Sequence, residues 1–259
     1  MLGGKYKQQK QGMGYTIIEV MIVLAVSGLM FVIAATFING KQEKTAFTQG
    51  VNEMASRVQD VIEQVTDGNY SDIPLKCTGS PSGTTIGSDP TETQGTNSSC
   101  VFIGKFFHFG VSGTPTNYEL FSLAAFFGST SLGADVTPIT GAVDLTQQQT
   151  TPQHLNVAWV KANGATTYGF GFVQSQGTKV SGDYTNGAQT IGLVYSPSLT
   201  GGASESTAAS ELKGHVASAS SAQICMTDGN RSAFITVGDT SNGGDQLAVN
   251  VKMRGTVPC

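Results

Sequence analysis

One glutamate and four cysteines are the residues whose type and placement call for a chemical explanation. Glu19 interrupts an otherwise apolar run, YTIIEVMIVLAVSGLMFVIAATFI, from Tyr15 to Ile38. A carboxylate near the centre of a bilayer costs about 2.5–3.5 kcal/mol even on insertion-based scales. It therefore needs either interfacial water or a cation supplied by another chain. The cysteines, Cys77, Cys100, Cys225 and Cys259, are even in number and widely spaced, with no CxxC or Cys/His cluster of the kind that holds zinc. Downstream of an export segment, such thiols are expected to pair as disulfides. Four cysteines allow three connectivities. The two local closures, Cys77–Cys100 and Cys225–Cys259, are the expectation, and four free buried thiols are the alternative.

Other reactive groups are dispersed. His108, His154 and His215 have no metal-ligand spacing, and His108 in Phe106-Phe107-His108-Phe109 reads as one position of a strand rather than a catalytic base. The chain contains no G-x-S-x-G, H-E-x-x-H, Walker loop or G-x-G-x-x-G. The expectation is a protein that is not an enzyme and takes no cofactor. Charged residues make up 12% of the chain, about half the usual share, and the formal net charge is −4. Without Lys5, Lys7 and Lys10 near the N-terminus, eleven basic residues would face eighteen acidic ones. No overall basic field exists, so nucleic acid is not an expected partner, although a local patch stays open.

The elements that must position Glu19 follow from hydropathy. At about 1.5 Å per residue the run from Tyr15 to Ile38 spans about 36 Å, enough to cross a bilayer. Lysines precede it, while Lys41 and Lys44 beyond it are offset by Glu43, which favours the N-terminus inside the cell. An ordinary signal peptide, with Val32-Ile33-Ala34 as its cleavage site, is the competing reading. A signal h-region is shorter and lacks an acidic residue. Past Asn39-Gly40, which could loosen one turn, Phe47, Val51, Met54, Val58, Val61 and Val65 recur at steps of four and three. That stripe predicts an amphipathic helix packed on a sheet, with Asp67-Gly68-Asn69 as its stop and a coiled coil as the alternative.

Gly14-Tyr15-Thr16-Ile17-Ile18-Glu19-Val20, preceded by a short basic leader and followed by an unbroken apolar helix, resembles the class III leader of type IV prepilins. The resemblance covers about residues 12–40. It implies cleavage by a prepilin peptidase between Gly14 and Tyr15, N-methylation of Tyr15, and pairing of Glu19 with the Tyr15 amine of a neighbouring subunit during assembly. Gly28 stands where the family often carries glycine, whereas Tyr15 replaces the commoner phenylalanine and Thr36 stands where many major pilins have a kinking proline. The implied partners are the peptidase, other pilin or pseudopilin subunits in a helical filament, an inner-membrane assembly platform and the membrane itself. The implied location is the cytoplasmic membrane in a single pass, then the extracellular or periplasmic filament.

Beyond the helix, strands are predicted at Val101–Phe109, Tyr118–Phe127, Leu155–Lys161, Tyr168–Gln174 and Thr190–Tyr195. Residues 71–99, 128–153 and 176–188 read as loops, and 197–221 as a flexible insert with a short helix at Glu205–Leu212. Gln223–Thr227, Ser232–Val237 and Gln246–Met253 read as a three-stranded meander whose last strand is half buried through Leu247, Val249, Val251 and Met253. This meander is similar to the C-terminal region of H-type minor pseudopilins. Asp239, Asn242 and Asp245 offer oxygen ligands in one loop, and some pilin-family members bind calcium in a C-terminal loop, but the spacing is not that of an EF-hand and a solvated turn is the preferred reading.

The expected fold class is thus α+β and pilin-like. A long N-terminal helix, half membrane and half amphipathic, packs on an antiparallel β domain. The expected segments are a leader at 1–14, a transmembrane and assembly helix at 15–38, an amphipathic extension at 39–68 and an extracytoplasmic β-rich domain at 69–259. A structural and minor subunit of a type IV pilus or type II secretion pseudopilus is the functional expectation. A tip adhesin or DNA-uptake pilin is the alternative, and a membrane-anchored extracellular enzyme is the reading least supported.

Overall fold

The computed structural model describes residues 15–67, 75–78, 85–88, 100–126, 137–138, 146–174, 183–186, 189–213, 215–238, 247–255 and 259. The chain divides into two compact units, Met1–Ala46 and Phe47–Cys259. One helix, α1 (Ile17–Thr66), begins in the first and ends in the second.

Thr16 starts α1. Its carbonyl accepts the Glu19 and Val20 N–H groups at 3.0 and 3.2 Å, and its Oγ1 accepts the Glu19 N–H at 3.3 Å. This is the threonine half of a capping box, with glutamate three residues on and beside the positive end of the helix dipole. The helix continues through Asn39-Gly40 without a break. Residues Ile17–Ala34 are long and apolar enough to cross a membrane, and none of that stretch is buried by the rest of the chain.

In the second unit all six residues of the predicted stripe, Phe47, Val51, Met54, Val58, Val61 and Val65, are buried, joined by Ala55 and Ile62. They pack against the sheets and not against a second helix, because the same cluster contains Phe107, Tyr118, Phe170, Ile224 and Ile235. Each such side chain contributes about 1.5–3 kcal/mol by leaving water.

The strands are β1 (Leu75–Thr78), β2 (Thr85–Ser88), β3 (Cys100–Phe109), β4 (Asn117–Phe126), β5 (Thr137–Pro138), β6 (Thr146–Thr150), β7 (Asn156–Ala162), β8 (Ala165–Thr167), β9 (Gly169–Gln174), β10 (Asp183–Asn186), β11 (Gln189–Tyr195), β12 (Ala217–Ala219), β13 (Ala222–Thr227), β14 (Ser232–Val237) and β15 (Val249–Gly255); a second helix, α2, is Glu205–Leu212. The larger sheet runs β10-β11-β9-β3-β4-β5, with β12 on β11 and β6 on β4; the smaller runs β15-β14-β13-β7-β8; β1 and β2 form a separate hairpin. All recorded pairings are antiparallel. The chain passes between the two main sheets through Tyr168, between β8 and β9.

The larger sheet is buried on both faces. Phe107, Phe109, Tyr118, Phe170 and Phe172 share the core with α1. Phe106, Phe121, Leu123 and Val173 lie in a second cluster with Leu199, Ala208, Leu212 and Val216. Glycines permit the close fit between strands: a Cβ on Gly171 would lie 2.5 Å from the Lys105 carbonyl oxygen.

Several expectations require correction. Residues 71–99 contain the β1–β2 hairpin, 128–153 contain β5 and β6, and 176–188 contain β10. The polar TQQQT of β6 and DYTN of β10 lack an apolar alternation because each lies at the margin of the sheet, pairing with β4 or β11. The 197–221 insert does hold a helix at Glu205–Leu212, but it is no flexible arm: Leu199, Ala203, Ala208, Ala209, Leu212 and Val216 are buried over the larger sheet. The last strand is half buried only at its start, where Leu247 and Val249 pack against the core. Val251 and Met253 are exposed because β15 is the edge strand, paired only with β14 among the described residues.

Candidate functional site

The groups singled out at the N-terminus sit at the start of α1. Gly14 lies outside the described residues. Tyr15 is 81% exposed, and Glu19 is also exposed in the first turn. The Thr16 cap fixes the backbone at Glu19, but the Glu19 carboxylate has no partner among the described residues.

Cys225 on β13 and Cys259 are joined by a disulfide, with Cα atoms 6.1 Å apart. The Trp159 indole N–H donates to the Cys259 oxygen at 3.2 Å, so the same segment is held by a covalent and a polar contact. The side chains of Cys77 and Cys100, on β1 and β3, lie outside the described residues. So do Asp239, Asn242 and Asp245. Among the described residues no group of three His, Cys, Asp or Glu could hold a metal.

The three histidines are not brought together. His154 ends a 3-10 turn at positive φ and is exposed, His215 follows α2, and His108 is fully buried on β3. His108 Nδ1 lies 3.2 Å from Oε2 of Glu119, directly opposite on β4 and equally buried. His108 Nε2 has no hydrogen-bond partner among the described residues. The pair is inside the fold beside Phe121. It is a polar contact within the core and lacks the access a catalytic base needs.

A second polar node was not read from the sequence. Arg57 of α1 donates to Tyr118 Oη at 2.8 Å, to Gln149 Oε1 at 3.0 Å and to Glu53 Oε1 at 2.8 Å. Burial pushes the Tyr118 hydroxyl above its ordinary pKa, with the Arg57 guanidinium pulling the other way. Lys105 of β3 donates to Gln64 of α1, and burial holds its amine below the usual lysine value. Both contacts tie the polar margins of α1 to the larger sheet. Only the helical phase of Arg57 and Gln64 beside the apolar stripe hinted at them.

A cavity of about 300 Å³ lies where the two main sheets part, lined by Phe109, Val157, Trp159, Thr166, Thr167 and Tyr168. Gly110, Gly113, Gly201 and Gly202 also line it, and a Cβ on Gly201 would meet the Tyr168 ring at 2.2 Å. No titratable carboxylate, imidazole or amine lines it, so it offers no acid–base pair.

No protein-family model, curated protein or solved structure matches this chain.

Proposed function

We propose that this chain is the precursor of a type IV pilin-like subunit, a structural and minor component of a pilus or secretion pseudopilus. The observation that carries the reading is the placement of Glu19. It follows Gly14-Tyr15-Thr16 at the prepilin spacing and begins a helix apolar enough to cross a membrane. Cleavage after Gly14 frees an amine on Tyr15 four residues before Glu19. That amine, on a neighbouring subunit, is the cation the unpaired carboxylate requires, and two charges costly in hydrocarbon then neutralise each other. The α1 stripe buried on an antiparallel domain supports the same reading, since it gives the assembling helix a folded cargo.

Mass spectrometry of the protein recovered from membranes tests this directly. The expected N-terminus is N-methyl-Tyr15. A chain beginning elsewhere, for example after Ala34, replaces this reading with a signal peptide.

A further inference from the structure

The cavity beside Tyr168 exists because β8 stops short. β8 pairs only with Val160–Ala162 of β7, and the chain then crosses to the larger sheet through Tyr168. Before Val160 that edge of β7 has no strand beside it among the described residues, and the Val157 N–H turns to the Pro115 carbonyl at 2.9 Å. On the other edge, the pairing with β13 jumps from Trp159 opposite Cys225 to Val157 opposite Met226. Ala158 is thus an extra residue, a bulge. A regular strand turns successive side chains to opposite faces. The bulge breaks that alternation, and Val157, Ala158, Trp159 and Val160 all border the cavity.

Its chemistry is uncharged. No lysine, arginine, aspartate, glutamate or histidine lines it. Lys161 is stacked over the Trp159 ring, 4.5 Å from its centroid, and does not reach the lining. The glycines form no anion nest, because the N–H groups of Gly110, Gly113 and Gly202 are spent on the carbonyls of Asn117, Gly110 and Gly110 at 3.0, 3.0 and 3.1 Å. The Thr167 hydroxyl is satisfied by the Ser196 and Gly169 carbonyls at 3.1 and 3.2 Å. Two aromatic rings and two hydroxyls remain. Tyr168 is 43% exposed, more than any other large apolar side chain beyond α1 among the described residues. The Gly201 backbone backs its ring. Trp159 is held by its indole bond to Cys259 and by Phe234, 5.5 Å away between ring centroids. Tyr168 Oη and Thr166 Oγ1 have no hydrogen-bond partner among the described residues. Both rings are therefore in place before a ligand arrives, which lowers the entropy lost on binding.

We propose that this cavity binds a neutral saccharide, as a single pyranose or the end of a short glycan. The C–H face of an uncharged pyranose lies on the exposed Tyr168 ring, and its hydroxyls meet Tyr168 Oη and Thr166 Oγ1. The volume of about 300 Å³ is at the small end of the range of about 300–1,000 Å³ for small-molecule sites, which suits one or two sugar rings. A wholly apolar ligand is the other occupant an uncharged cavity admits. It is disfavoured because it would strip water from the Tyr168 and Thr166 hydroxyls and return no hydrogen bond. This inference goes beyond the structural-subunit reading and does not depend on how the N-terminus is processed.

Trp159 is the only tryptophan of the chain, so its fluorescence reports on the cavity directly. The full-length chain, solubilised in a detergent without a sugar headgroup, is titrated with the methyl glycosides of glucose, galactose, mannose and N-acetylglucosamine. Saturation-transfer NMR is the second readout. At least one glycoside is expected to shift the emission with a Kd of about 1 mM, the affinity that small-ligand efficiency allows a single ring. Tyr168→Ala should weaken binding about tenfold, whereas Tyr168→Phe, which keeps the ring, should stay within about threefold. Thr166→Val, at an exposed position on β8, should weaken it about threefold and replaces Tyr168→Ala as the test if that variant lowers the urea midpoint. Benzyl alcohol and glucose 6-phosphate, the apolar and anionic comparisons, should each bind about tenfold more weakly than the best glycoside. Silence to every glycoside in both readouts, binding indifferent to Tyr168→Ala and Thr166→Val, or a comparison compound that binds as tightly as the best glycoside would overturn the proposal. A mature N-terminus other than Tyr15 would sink the pilin reading and leave this result untouched.

Discussion

His108 and Glu119 show what a polar pair costs inside this fold. Both are buried, facing each other across β3 and β4, with Phe107 and Phe109 flanking His108 and Tyr118 and Leu120 flanking Glu119. Removing one partner from a buried hydrogen-bonded pair typically costs about 1–3 kcal/mol. His108→Leu should therefore lower the urea midpoint strongly. His108→Leu combined with Glu119→Leu should recover part of the loss, since the buried polar contact is then replaced by apolar side chains on both strands. Equal destabilisation in the single and double variants would contradict a coupling between the two side chains. The pair was half visible beforehand. Phe107-His108-Phe109 and Tyr118-Glu119-Leu120 each place one polar residue between apolar ones, but only the register puts them opposite each other. Arg57 was harder to read, because its partners Tyr118 and Gln149 lie 61 and 92 residues away.

At the scale of elements, periodicity was the readable signal. The α1 stripe and the strands with apolar alternation were legible because burial on one face imposes a repeat of 3.6 or 2. β5, β6 and β10 were not, since short marginal strands bury little and keep polar residues. α2 was legible as a helix but not as a lid over the second face of the larger sheet, because Ala208 and Ala209 are as common on exposed helices as under cover. Val251 and Met253 misled in the opposite sense: their alternation is that of a half-buried strand, yet they are exposed on an edge strand that pairs only with β14 among the described residues. The energetic weight of α1 lies in its stripe. Met54, fully buried among sheet residues, should cost about 2–5 kcal/mol as Met54→Ala, against under about 0.5 kcal/mol for exposed Gln59→Ala. Comparable losses at both positions, measured by urea unfolding of the purified chain, would mean that the helix does not dock through this face.

At the scale of the molecule, composition and the N-terminal motif pointed to a membrane helix followed by a polar β-rich chain, and the described residues contain a helix long and apolar enough to cross a membrane and antiparallel sheets. The order of strands in the two sheets was not readable, because partners such as β7 and β13 are far apart in sequence and nothing local encodes their meeting. The Cys225–Cys259 bond contributes at this scale, because it closes a loop across 34 positions. Loop-closure entropy puts its contribution at about 4 kcal/mol. Replacing both cysteines by alanine (Cys225→Ala, Cys259→Ala) should lower stability by about that amount and free the Trp159 contact. A shift below about 1 kcal/mol, read from the same unfolding curves, would mean that the meander is held by its strand pairing alone.

The same bond has a mechanical side. It turns β13, β14 and β15 into a closed ring, so traction arriving at Cys259 passes straight through sulfur to β13. The chain between them, a separation of 34 positions and about 110 Å if drawn straight, is withheld from extension. A subunit that has to endure pulling would have that much less slack to give.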